Sequence, residues 1–260
     1  MTLEIATPYS RLFENDGIAM EISKASDCLE VRQYSQDVDY APRKLFHFDI
    51  DILFTWDATT KEYIRSAIAD LVDLELVSFS ADSCYIQKGD IEKWYQPCGK
   101  KFSADELYES ASTNLSWLKE LVGSSVNIAI ENNNYYPTEA YDIVTDGDFL
   151  SRIVEKNDIY FLFDIAHALV TAHNRQIGFE KYLDTLPMNR VIQLHISTPD
   201  LSSDTVEIDE HEWPNTEIFT TVKNLLSGYS TVKYLTVEYY RDKDILIRSL
   251  KELRQLIESQ

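Results

Sequence analysis

The sequence predicts an α/β fold, a single (β/α)8 barrel occupying residues 1–260. Three observations carry that prediction: short apolar runs of strand character recur eight times, helical spacing fills the longer stretches between them, and 260 residues suit a barrel of roughly 250. The first run is Leu3–Thr7 (LEIAT), the second Cys28–Gln33 (CLEVRQ) and the third Lys44–Ile50 (KLFHFDI). Only the ten residues 34–43 separate the second run from the third, too few for a full crossover helix, so this unit is predicted to lack one. A helix is predicted over Lys61–Leu74, where Ile64, Ala67, Ile68 and Leu71 share one face. The fourth run is Leu76–Ser80 (LVSFS).

The next predicted helix is Ala104–Val122, with Leu107, Ala111, Leu115, Leu118 and Leu121 inward. Ser103 stands before it with Glu106 three residues on, the spacing of a capping box. The later runs are Val126–Asn132 (VNIAIEN), Ile159–Ile165 (IYFLFDI), Val191–Ser197 (VIQLHIS) and Val232–Tyr239 (VKYLTVEY). An amphipathic helix over Asp244–Ile257 closes the chain, with Ile245, Ile247, Leu250, Leu253 and Leu256 on its inner face. Near-continuous apolar strands alternating with helices are the pattern of parallel strands buried on both faces.

Composition narrows the function classes. No apolar run approaches the ~18 residues of a membrane span, and the first residues carry no basic stretch followed by an apolar one. A cytoplasmic protein with no membrane partner is therefore expected. Three cysteines without a CxxC pair argue against a disulfide framework and against a thiolate zinc site. The net charge of −20, from 44 acids against 24 bases, repels a phosphate backbone, and no basic run offers a local patch for one, so no nucleic-acid partner is expected. Most of those acids read as solvated helix faces.

A different reading applies to the C-terminal strand ends, the face of a barrel that carries chemistry. His47 lies in the third run, Glu131 ends the fifth, Asp164 ends the sixth with His167 just after, His195 lies in the seventh and Glu238 ends the eighth. Asp209 and His211 follow on the loop after the seventh run. A lone strand-end acid is commonly a helix cap, and a lone histidine such as His173 is commonly structural. Together, these eight residues gather four of the five histidines on one rim. Buried carboxylates facing one space need cations there; imidazole with carboxylate suits zinc, iron or manganese, and the lack of thiolate shifts the balance toward iron or manganese. So many ligands suggest more than one ion, with Glu131 able to bridge two of them.

With those residues in place, the sequence resembles the DUF692 family of multinuclear non-haem iron-dependent oxidative enzymes, which includes the methanobactin-biosynthesis oxidase. The likeness is carried, in order over about residues 40–240, by Glu131 to Pro137 (ENNNYYP), Phe163 to Ala168 (FDIAHA) with Ala172 to Asn174, Leu186-Pro187 followed by Gln193 to Ile196 (QLHI), Ile208 to His211 (IDEH) and Thr236 to Tyr239 (TVEY). It implies a xylose-isomerase-like TIM barrel holding two or three iron ions, with dioxygen as co-substrate. The metal ligands it implies are His47, Glu131, Asp164, His167, His195, Asp209, His211 and Glu238, with Glu131, Asp164, His195 and Glu238 closest to the chemistry. The family's fourth-strand histidine has no counterpart here, where the run offers Ser80 or, with a shifted alignment, Asp82. A two-iron version of the site is the preferred expectation.

The substrate implied by the resemblance is a ribosomally made peptide, modified commonly at cysteine; the resemblance also implies a separate partner protein that binds the peptide leader. Tyr135, Tyr136 and Trp213 lie beside the ligand segments and are candidates to wall a substrate pocket, or ordinary rim packing. Two other classes stay open: a xylose-isomerase-like isomerase or hydrolase using zinc or manganese, and a degenerate barrel serving as a scaffold.

Overall fold

The computed structural model describes residues 3–33, 35, 40–87, 94–200, 206 and 208–259. Eight parallel strands close a barrel in chain order: β1 (Glu4–Pro8), β2 (Cys28–Arg32), β3 (Arg43–Phe48), β4 (Leu76–Phe79), β5 (Asn127–Glu131), β6 (Tyr160–Asp164), β7 (Val191–Ile196) and β8 (Tyr234–Val237), with β8 pairing back onto β1. All eight predicted runs are strands. Around them lie α1 (Asp16–Ser23), α2 (Ala58–Ile68), α3 (Ala104–Val122), α4 (Gly147–Lys156), α5 (Ile165–Asn174), α6 (Phe179–Leu183), α7 (Thr216–Gly228) and α8 (Lys243–Glu258). Among the described residues no helix joins β2 to β3, as their short separation requires; residues 34 and 36–39 of that connection lie outside the description. No helix among the described residues is long and apolar enough to cross a membrane.

Strand periodicity sorts the side chains into two cores. One set, including Ile5, Val31, Phe48, Phe79, Ile130, Phe163, Ile196 and Val237, faces outward and packs beneath the helices. The other takes one residue from every strand, Ala6, Cys28, Leu45, Leu76, Ala129, Leu162, Ile192 and Tyr234, and plugs the barrel interior. Side chains two positions on point the same way, one layer higher. From the plug residues that step gives Glu30, His47, Ser78, Glu131, Asp164 and Thr236, and a further step gives Arg32, Ser80 and Glu238. A polar layer therefore sits directly on an apolar one, at the C-terminal mouth.

Helix ends follow local chemistry. The predicted capping box is present: Ser103 Oγ accepts from the Glu106 amide and Glu106 Oε2 accepts from the Ser103 amide, so α3 runs as expected. The helix expected over Lys61–Leu74 is shifted toward the N-terminus, because Asp57 accepts a hydrogen bond from Thr60 N at 2.8 Å and starts α2 at Ala58. Asp209 and His211, expected on a loop, instead lie in a short strand (Ile208–Glu212) antiparallel to Thr198–Asp200. A second small hairpin pairs Tyr85–Gln87 with Cys98–Lys101.

Candidate metal centre

The polar layer above the plug is buried: His47, Glu131, Asp164, His195 and Glu238 are each no more than 5% exposed. Register explains their proximity, since His195 is the Cα partner of Asp164 on one side and of Thr236 on the other. Glu238 follows the end of β8, its amide still donating to Ile196 O. The hairpin after β7 folds back so that Asp209 and His211 meet the same space. His211 takes the left-handed backbone conformation, φ 49°, uncommon for a residue with a side chain.

Most of these side chains have one polar atom tied to the scaffold and another aimed at the shared space. Asp164 Oδ1 caps α5 by accepting from His167 N at 2.8 Å, and Oδ2 is buried without a hydrogen bond. Asp209 Oδ1 accepts from His211 N at 2.9 Å, and its Oδ2 is likewise buried and unpaired. Glu238 Oε1 accepts from Tyr240 Oη at 2.8 Å and from the Arg32 guanidinium, leaving Oε2 3.2 Å from His195 Nδ1 and 3.6 Å from His211 Nε2. His167 Nδ1 lies 2.8 Å from the Asn132 carbonyl, so it carries the proton and turns Nε2 toward Asp209 Oδ2 at 3.4 Å and Asp164 Oδ2 at 3.8 Å. Glu131 spans the centre, Oε1 being 2.9 Å from His195 Nδ1 and Oε2 3.4 Å from His47 Nε2.

Two sets of ligand atoms fall within 4.8 Å of one another, Glu131/Asp164/His195 and His167/Asp209/His211, and a third set joins Glu30, His195 and Glu238. The first is closed off, whereas the His211 side chain is 34% and that of His167 14% exposed, so the second is the accessible side. His47 belongs to no such set. Its Nδ1 lies 2.9 Å from Ser78 Oγ and its Nε2 has Ser80 Oγ at 3.5 Å besides Glu131.

Charge points the same way as geometry. Among the described residues, five carboxylates, Glu30, Glu131, Asp164, Asp209 and Glu238, face one guanidinium, that of Arg32, which Asp49 also approaches at 3.7 Å, leaving at least four negative charges for bound cations to offset. Without such ions His167, His195 and His211 hold protons in their place, while burial keeps His47 below its ordinary value. Burial opposes charge on His211, but Glu238 and Asp209 outweigh it and raise the imidazole to about 9. Burial is likewise overcome at His167, by Asp164 and Asp209, and at His195, by Glu238 and Glu30. Burial dominates at Asp164, pushed up to about 7 with Asp209 and Glu238 adding to it. At Glu131 burial loses to His47 and His195, which bring the carboxyl to about 2. Orphaned buried oxygens, oriented imidazoles and surplus negative charge together fit a multinuclear site for hard or borderline cations.

The remaining sequence candidates are placed as follows. Asp82 joins none of the ligand sets among the described residues, and its carbonyl accepts from Asn133 Nδ2 at 3.4 Å. Tyr136 stacks on Trp94 with centroids 5.3 Å apart, and burial with the nearby Asp209 charge raises its hydroxyl to about 12. Tyr135 carries Arg175 over its ring at 4.2 Å, at the outer edge of α5. Trp213 is 49% exposed, outside the buried layer. His173 is exposed in the last turn of α5. The sequence reading missed Glu30, Arg32, Gln193 and Tyr240, all of which touch the centre. The available signal was the strand period, which puts Glu30 two residues beyond plug residue Cys28.

Comparison with known proteins adds three findings. The profile of the family described as "RiPP precursor modification enzyme MbnB/TglH/ChrH" matches residues 105–258, more than half of the chain. A UPF0276 protein of Caulobacter vibrioides is 30% identical over 87 residues, 34% of this chain and 31% of that protein. One from Acaryochloris marina is 27% identical over 132 residues, 50% of this chain and 47% of that one. The match thus spans from about a third to about half of these relatives' length. Among solved structures, a xylose isomerase-like TIM barrel protein from Mycobacterium smegmatis in complex with magnesium has a TM-score of 0.62 at 12% identity, covering 99% of this chain and 97% of that one. D-Psicose 3-epimerase from Clostridium cellulolyticum H10 gives 0.58 at 12% identity, with 99% of each chain covered. At such identities the likeness shows the fold, a xylose-isomerase-like TIM barrel.

Proposed function

The chain belongs to the MbnB/TglH/ChrH family of RiPP precursor modification enzymes, and from that premise we propose that it is a non-haem iron-dependent oxidative enzyme acting on a ribosomally made peptide. The observation that supports it best is the convergence of unpaired buried ligand atoms, Asp164 Oδ2, Asp209 Oδ2 and His195 Nδ1, in one polar layer. Glu131, Asp164, His195 and Glu238 would hold one ion, and His167, Asp209 and His211 a second. His47, with one carboxylate and two serine hydroxyls nearby, makes a poor third position, which favours two ions over three. Bound iron would supply one-electron chemistry with dioxygen as co-substrate, directed at a peptide cysteine whose thiol a metal acidifies.

The chain's own residues would do the rest. Asn132 and Asp164 set the His167 ring, Tyr240 and Arg32 turn Glu238, and the plug beneath excludes water from below. Substrate would enter from the His167 and His211 side, the only part of the ligand set with appreciable exposure among the described residues. Tyr136, near enough to Asp209 for that charge to raise its hydroxyl, and Trp94 stacked on it would flank the peptide. A separate leader-binding partner completes the proposal, and a net charge of −20 would complement a basic leader.

Elemental analysis of protein purified without oxygen, with Mössbauer spectra, tests this reading. Two coupled irons per chain are expected, with loss of coupling and of bound iron in Glu131→Ala. Stoichiometric zinc or manganese with no iron uptake would replace the oxidative reading with a redox-silent isomerase or hydrolase. A chain that binds no metal would leave a scaffold.

A further inference from the structure

We infer that Glu30 and Arg32 form a positioning pair that selects Nδ1 of His195 as the atom presented to the metal centre. The inference rests on the metal reading above and concerns two residues outside the ligand set it names.

His195 sits between two groups of acids. On one side its Nε2 lies 2.8 Å from Glu30 Oε2, with both side chains 1% exposed. On the other its Nδ1 faces Glu131 at 2.9 Å, Glu238 at 3.2 Å and Asp164 at 3.8 Å, yet it makes no hydrogen bond of acceptable geometry. A neutral imidazole has one N–H and one lone pair, so the stronger acceptor decides which nitrogen is free. Gln193 Nε2, 3.2 Å from the same nitrogen, spends its two hydrogens on Glu30 and Thr236, so Nε2 donates to Glu30 and the Nδ1 lone pair is left for the centre.

Glu30 could instead be a ligand, since it lies within the Glu30/His195/Glu238 set. Its surroundings argue otherwise. Oε1 accepts from Arg32 Nη2 at 3.2 Å, and Oε2 accepts from Gln193 Nε2 at 2.5 Å as well as from His195. The same Arg32 nitrogen bonds Glu238 Oε1. A permanent cation therefore already stands between Glu30 and Glu238, and a metal ion there would meet its repulsion. The guanidinium also ties the second carboxylate of the pair, so Arg32 turns Glu238 Oε2 inward while holding Glu30 on the histidine.

The test uses zinc, a diamagnetic and redox-silent probe, on the whole chain labelled with nitrogen-15 histidine. Long-range proton–nitrogen spectra of the zinc-loaded wild type are expected to show His195 protonated at Nε2 and metallated at Nδ1. Competition with a chelating dye is expected to show zinc affinity falling on the order of 10–100-fold in Glu30→Ala, the usual cost of losing a partner that orients a ligand. The number of zinc ions at saturation stays unchanged, and Glu30→Gln, which keeps an acceptor oxygen, recovers part of the loss. Metallation at Nε2, or wild-type affinity in Glu30→Ala, overturns the inference while leaving the metal reading intact. Loss of one whole zinc equivalent from both variants at saturation makes Glu30 a ligand and also overturns it. A wild type that takes up no zinc removes the metal reading and the inference together.

Discussion

Asp164 meets two demands with one carboxylate. Oδ1 caps α5 and Oδ2 waits unpaired in the centre, so both readings of a strand-end acid, cap and ligand, apply to the same side chain. Its cost shows in its acidity, pushed up to about 7 by burial and by Asp209 and Glu238, while His211 is raised to about 9 by Glu238 and Asp209 against burial. The sign for metal uptake follows. Both groups hold protons in the metal-free protein at pH 6, and an ion must displace them, so apparent affinity rises with pH. Of these two groups both hold a competing proton below about 7, His211 alone between about 7 and 9, and neither above. His167 and His195, also raised, act in the same direction. Zinc competition titrations between pH 6 and 9 are expected to gain at least about tenfold per pH unit, the yield of one displaced proton. An affinity flat across that range would remove the assignment of these groups as ligands.

The same scale explains what the sequence disclosed of the centre. Strand-end acids and histidines stand out because they interrupt apolar runs. Glu30 and Arg32 do not, because Leu29 to Arg32 alternates apolar and polar, and an alternating strand reads as one with a solvent face. In a barrel that face can instead point inward, toward the polar layer. The register, which sets Arg32 against His47 and His195 against Asp164, shows that here it does.

At the scale of elements, the eight strands were legible as apolar runs, and α3 was legible to its ends because the capping box marks its start. The start of α2 was hidden, since its first turn, Ala58-Thr-Thr-Lys61, offers no apolar periodicity and the cap at Asp57 alone sets it. The two hairpins were hidden too, being three to five residues per strand and largely polar. One buried side chain governs how α3 holds the loop leaving β3. Asn114, 0% exposed, accepts from Trp56 N at 3.1 Å and donates to Ile52 O at 2.9 Å and Phe54 O at 2.8 Å. Asn114→Ala strands three backbone groups, a loss of at least about 3 kcal/mol in urea denaturation, given about 1–3 kcal/mol for each buried group left unpaired. Because the loop lies beyond His47 and away from the ligand sets, metal stoichiometry in the variant is expected to match wild type. A loss below about 1 kcal/mol would mean water replaces the amide without penalty.

For the whole molecule, the barrel separates an apolar plug, which holds at any ionic condition, from a charged mouth that does not. Toward the N-terminal ends of the strands, Glu75 already has its cations, Lys44 and Lys233. At the mouth, among the described residues, Arg32 is the fixed cation of the centre, and at least four carboxylate charges remain for protons or metal. Ions that bind only the folded chain therefore stabilise it by mass action, by about 2.7 kcal/mol at a free concentration one hundred times Kd for a single site. For a chain of this size that corresponds to a rise in Tm of roughly 5–11 °C, at about 2–4 °C per kcal/mol. Calorimetry with and without a chelator reads this directly, and hydrogen exchange locates it. Chelation is expected to lower protection at the β7 and β8 ends and in the hairpin carrying Asp209 and His211, with the plug strands least affected. An unchanged Tm on removal of bound ions would show that protonated histidines balance the mouth as well as metal does, and the electrostatic case for a metal centre would fall with it.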